Sequence, residues 1–162
     1  MKDEEKQKNY ELAEKLLSEQ NFSAAVIAGG VATLVAAAAY GYIVARFSIV
    51  YGFAAAGVGI VIGQAMQIAG RGIEMRFSVV AAVYTIIGCA LGNLINVTAL
   101  LHSPIDTVQN TSVSDLAGRA ASEISFVHLV YWFVAVFAAV FFARRALSRA
   151  DRLALGMYEL RD

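Results

Sequence analysis

Cysteine and proline are nearly missing from this chain of 162 residues, which has one of each. A single cysteine excludes a disulfide scaffold, and a single proline excludes a proline-rich disordered chain. Charge is scarce too. Asp, Glu, Lys and Arg make up 16 % of the residues, against about 25 % in soluble domains. The 13 basic and 13 acidic side chains cancel, so the chain has no overall basic field and no nucleic-acid partner is expected. What fills the sequence is apolar. The AVILMFWYC set reaches 59 %, above the roughly 45–50 % of soluble domains even with glycine counted, and the mean hydropathy is +0.61. This is the composition of an all-α integral membrane protein.

The few charges are segregated along the chain. Arg46 is the only charged residue between Ala24 and Gly70, and there is none from Phe77 to Ile105 or from Ile124 to Ala143. About 20 apolar residues cross the hydrocarbon core as a helix. The first run is therefore long enough for two spans and divides at Ala45-Arg46-Phe47-Ser48. The runs predict a four-helix transmembrane bundle with spans 24–44, 49–69, 77–100 and 125–143 and an outer loop 101–124.

The first 20 residues mix acids with lysines and hold no apolar core, unlike a cleaved signal peptide. Leu12, Ala13, Leu16 and Leu17 share one side of a helix, so residues 1–23 read as an amphipathic segment at the membrane surface. The basic tail 144–162 is a second amphipathic extension, with Leu147, Ala150, Leu153, Met157 and Leu160 on one face. Lys2, Lys6, Lys8, Lys15, Arg71, Arg76, Arg144, Arg145, Arg149, Arg152 and Arg161 fall on one side of a four-span chain, leaving Arg46 and Arg119 on the other. By the excess of Lys and Arg in cytoplasmic flanks, both termini are cytoplasmic. Arg71, Arg76, Arg144, Arg145, Arg149 and Arg152 are the expected contacts to anionic lipid, and a cytoplasmic protein partner docking on the tail is the alternative.

Helices in lipid associate through small residues and inter-helical hydrogen bonds. The second span carries Gly52, Ala56, Gly59, Gly63 and Gly70 on one side, the third Ala81, Thr85, Gly88 and Gly92, and the first Gly30, Thr33, Ala37 and Gly41. These stripes predict tight packing around the second span. The fourth span, rich in Phe and Val, reads as a smooth segment facing lipid or a neighbouring subunit.

Four amides, Gln64, Gln67, Asn93 and Asn96, lie within the spans. Buried amides glue helices together or line a polar path; both readings stand at this point. No Asp, Glu or Lys lies within a span, which argues against a proton-coupled or voltage-driven machine. His102 and His128 are weak metal-ligand candidates at the outer side, with no recognised ligand spacing. Cys89 reads as an inert buried thiol, and Asn110-Thr111-Ser112 as a glycosylation acceptor with meaning only outside bacteria. No catalytic residue and no cofactor is expected.

Three segments resemble a widespread uncharacterised family of small bacterial multi-spanning inner-membrane proteins. These are LAEKLLSEQNFSAAVIAGGVATLVAAAAYGYI, the glycine-rich YGFAAAGVGIVIGQAMQIAGRGI, and RFSVVAAVYTIIGCALGNLI with its Gly88-Cys89-x-x-Gly92-Asn93. The likeness covers a little over half the chain. It implies topology and a bacterial origin and supplies no activity. The Phe/Val fourth helix and Arg-rich tail depart from the acidic, aromatic fourth segment of the group. The leading expectation is a non-enzymatic homo-oligomer or membrane anchor of a larger complex. The alternatives are an oligomeric channel or transporter lined by the four amides, and an outer-face metal-dependent enzyme.

Overall fold

The computed structural model describes residues 3–47, 51–100, 112–122 and 124–159. The described residues are helical with short connections: α1 (Asp3–Ser18), α2 (Phe22–Arg46), α3 (Tyr51–Gly70), α4 (Met75–Leu100), α5 (Val113–Ser122), α6 (Phe126–Phe142) and α7 (Arg149–Glu159). Helices α2, α3 and α4 are long and apolar enough to cross a membrane. Helix α6 is equally apolar but only 17 residues long. At 1.5 Å per residue that is about 25 Å, a little short of the ~30 Å hydrocarbon core.

Local chemistry sets the helix ends. Asn21 caps α2, its Oδ1 accepting from Ala24 N at 2.9 Å. Helix α3 stops where Arg71 turns into the left-handed region at φ 46°, with its N–H still donated to Gln67 O at 2.8 Å. The next residue has to be small, because a Cβ at Gly72 would run into the Phe77 ring. Ser148 and Asp151 cap α7 reciprocally: Ser148 N donates to Asp151 Oδ2 at 2.9 Å and Asp151 N to Ser148 Oγ at 3.2 Å. This is the capping-box arrangement with Asp in the third helical position.

The closest pairings are α2 with α4, α3 with α6 and α2 with α3, and α6 also touches α4. In each of the first two, backbone approaches backbone. A Cβ at Gly41 would come within 2.6 Å of Gly92 O, and one at Gly59 would fall onto Ala135 O. Ala81, Thr85, Gly88, Gly92 and Asn96 of α4 are all buried. Gly88 sits beside Val58, Ile62 and Thr33, and Gly92 beside Tyr40 and Ala37.

The stripe on α3 divides in a way the sequence reading did not foresee. Gly52, Gly59 and Gly63 face Tyr131, Ala135 and Ala139 of α6, whereas Gly70 faces Asn21 and Ala25 at the start of α2. Ala56 is half-buried. Helix α6 is therefore not a uniformly smooth segment. It turns Ala135, Ala139 and Ala143 inward while Phe126, Phe133, Phe137 and Phe141 stay exposed. Its small edge was hidden among bulky neighbours. Within the expected outer loop, residues 113–122 form α5, which packs on α4.

The two amphipathic ends lie against each other. Helix α1 packs on α7, with Ala13, Leu16 and Ala154 buried. The inward edge of α7 runs through Ala154 rather than Leu153, which is exposed. The apolar stripe of α1 is thus covered by the chain itself.

Candidate functional site

Three segments far apart in sequence meet at one end of the apolar helices: the link from α1 to α2, the turn from α3 to α4 and the link from α6 to α7. Backbone hydrogen bonds join them directly. Asn21 N donates to Gly70 O at 2.9 Å and Arg145 N to Gly72 O at 2.8 Å. Side chains complete the junction. Gln20 accepts from Ile73 N at 3.2 Å and donates to Glu74 at 3.1 Å. Gln67 Nε2 donates to Arg144 O at 3.2 Å, tying α3 to the end of α6.

Glu19 is the electrostatic centre of this cap. Its Oε2 lies 3.0 Å from Arg145 Nη1 and 3.7 Å from Arg71 Nη1. One carboxylate thus serves two guanidiniums from different segments. Glu74 pairs with Arg76 at 2.9 Å. The Arg76 guanidinium also stacks over Phe22, 5.0 Å from the ring centroid, and Phe22 meets Phe77 edge-on. Arg144, Arg149 and Arg152 are exposed and make no ion pair among the described residues. The cap carries more cation than anion.

A cavity of about 650 Å³ opens beside the cap, walled by Gln64 and Gln67 of α3, Phe141 and Phe142 of α6, and Arg144, Arg145, Leu147 and Arg152 around the α6–α7 link. A second, mostly apolar cavity of about 270 Å³ lies between α4, α5 and α6, with Asn93 and Trp132 in its wall. The two glutamines and Asn93 therefore line separate cavities. Buried Val58, Ile62 and Cys89 occupy the interior. Asn93 and Asn96 are buried within the helical packing, while Gln64 is exposed.

His102 lies outside the described residues. His128 belongs to the start of α6, where its Nδ1 accepts from Ser125 N at 3.2 Å and sits 2.9 Å from Ser125 Oγ. That nitrogen is engaged in capping a helix. No group of three or more His, Cys, Asp and Glu close enough to hold a metal ion occurs among the described residues. The sequence singles out the cap's arginines and Gln67 but not Glu19, Gln20 and Asn21, which fall at the end of the amphipathic segment 1–23. An Asn immediately before an apolar run was the available signal, because that is where a helix N-cap sits. Comparison with protein-family models finds no match, and no curated protein or solved structure is detectably similar to the chain.

Proposed function

We propose that this chain is a non-enzymatic protein of the bacterial inner membrane that anchors or scaffolds a larger complex. In this reading α2, α3, α4 and α6 all cross the bilayer, and the capped end, with both termini, faces the cytoplasm. The observation that carries it is the convergence of α1, the α3–α4 turn and α7 on one end, joined through Glu19, Gln20 and Gly72. That end also holds the arginines expected on the cytoplasmic side. The bacterial origin rests on the resemblance of the first three spans. The length deficit of α6 is small enough to be met by local thinning of the bilayer.

An anchor fits better than a homo-oligomer built on small-residue stripes. Gly59 and Gly63, the surface such a dimer would use, are already covered by Ala135 and Ala139 of the same chain. The paired α1–α7 platform, beyond the apolar helices, is the surface open to a partner of different sequence. Single-cysteine variants test the topology, since native Cys89 is buried. Lys8→Cys and Ala150→Cys should react with an impermeant maleimide only after cell lysis, and Ser122→Cys in intact cells. The reverse pattern would refute the orientation. Cross-linking in membranes followed by mass spectrometry should trap a different protein on α1 or α7. A strictly monomeric species without a partner would refute the anchoring role.

A further inference from the structure

The cavity beside the cap has two chemically different walls. Arg144, Arg145 and Arg152 supply guanidinium groups and Gln64 an exposed amide, while Phe141 and Leu147 supply apolar surface. Only Arg145 of the three arginines has a carboxylate partner among the described residues, at Glu19, and Glu19 is shared with Arg71. The nearby acid, Asp151, is tied up capping α7. An anion entering here meets net positive charge and donors that are not otherwise engaged. A guanidinium suits a phosphate because its planar N–H groups match two phosphate oxygens at once.

The apolar wall gives the ligand its second property. Phe141 continues into Phe137 and Phe133 at four-residue spacing on α6, and all three rings are exposed. The cavity therefore opens onto a phenylalanine stripe running away from the cap along a helix that, in the reading above, lies in the bilayer. Basic pockets between membrane helices at the cytoplasmic surface are suited to anionic lipid head groups, and about 650 Å³ is within the usual range of a small-ligand site.

We infer that this cavity is a discrete site for one anionic phospholipid, its phosphate held by Arg144, Arg145 and Arg152 and an acyl chain lying on the Phe141–Phe137–Phe133 stripe. The inference rests on the membrane placement of α6 proposed above. It differs from diffuse attraction of basic residues to a charged surface, because Arg149 shares α7 with Arg152 yet does not line the cavity.

The test is native mass spectrometry of the full chain in mild detergent, titrated separately with phosphatidylglycerol, phosphatidylcholine and glycerol 3-phosphate. Phosphatidylglycerol should bind at one per chain and more tightly than the other two. Arg144→Gln and Arg152→Gln should each weaken it about fivefold, the factor one basic side chain supplies near an anionic surface, and the double variant by about 25-fold on the same basis. Arg149→Gln should change it less than twofold. Neither Arg144 nor Arg152 supports the fold through an ion pair among the described residues, so unchanged thermal melting should accompany the loss. Equal weakening by Arg149→Gln would overturn the site in favour of a diffuse patch. Glycerol 3-phosphate binding as tightly as the lipid would overturn the lipid assignment. Failure of the membrane reading registers separately, as release of the protein from membranes by alkaline carbonate.

Discussion

The interior of the apolar helices and the polar cap at their end are held together by opposite means. In the interior, Gly59 meets the backbone of Ala135 and Gly41 that of Gly92, with no room for a methyl group between. Nothing there depends on charge, and in lipid no hydrophobic force between helices substitutes for lost contact. In the cap, two backbone hydrogen bonds are flanked by half-buried side chains that share partners: Glu19 with two arginines, Gln20 with Ile73 and Glu74. Each such pair contributes little, and each can rearrange. The difference teaches that steric fit fixes the interior, whereas the cap can be loosened by salt, acid or a binding partner while the helices stay packed.

The most damaging way to break this contrast is at Gly59. Gly59→Ala places its methyl on a backbone oxygen that cannot be trimmed away, so a loss of about 3 kcal/mol, the upper end for overpacking, is expected in denaturing-detergent titrations. Gly57 is the control. It has nothing within 4 Å of an added Cβ, and Gly57→Ala should be neutral or stabilising by up to about 1 kcal/mol through helix propensity.

Gly92→Ala comes next, at about 1–2 kcal/mol in the same titration. Its obstacles are the Tyr40 ring and Ala37 O, the latter 3.1 Å away. Because the tighter obstacle is a side chain, adding Tyr40→Ala should make the second substitution less costly than it is alone. No side-chain trimming should achieve that for Gly59.

The cap should respond more weakly and only locally. Glu19→Gln is expected to cost about 0.2–1 kcal/mol, as exposed pairs do, and to speed amide exchange in α1 and at Arg145 while leaving α3 and α6 unchanged. About 1 M salt, where screening acts within roughly 3 Å, should reproduce the effect in the unmodified protein.

The smallest effect concerns Asp151. Hydrogen bonds from the Ser148 backbone and side chain hold its carboxyl below the usual range, and Arg145 adds to the shift. A lowered folded-state pKa contributes stability above the ordinary value of about 3.9, lost as pH falls through the folded value. Amide exchange at the start of α7 should therefore quicken on acidification below about pH 4. Asp151→Asn should remove this pH dependence.

The part of the molecule that was legible in sequence is the part governed by composition and period. Charge-free runs located α2, α3 and α4, and small residues at helical spacing marked the buried side of α4. The pairing of α3 with α6 was not legible, because the eye falls on the phenylalanines of α6 and the alanines at 135, 139 and 143 merely look like ordinary members of an apolar run. Helix α5 was missed inside what looked like a loop. The cap's arginines stood out by charge, but Glu19 could not be matched to Arg71 and Arg145 without knowing that three links converge. Periodicity reports which face of one helix is apolar. It does not report which distant segment covers that face.

The covering of α1 by α7 also orders events in time. Ala13 and Leu16 are made before α2, α3, α4 and α6, and Ala154 after these four. Until α7 has left the ribosome, α1 presents a bare apolar stripe, and until the link before α7 has followed α6 out, Glu19 has no Arg145 to hold. During synthesis that stripe is uncovered, and docking of α7 then covers it. Closure of the cap thus marks a chain in which α1 to α7 have been made and brought together.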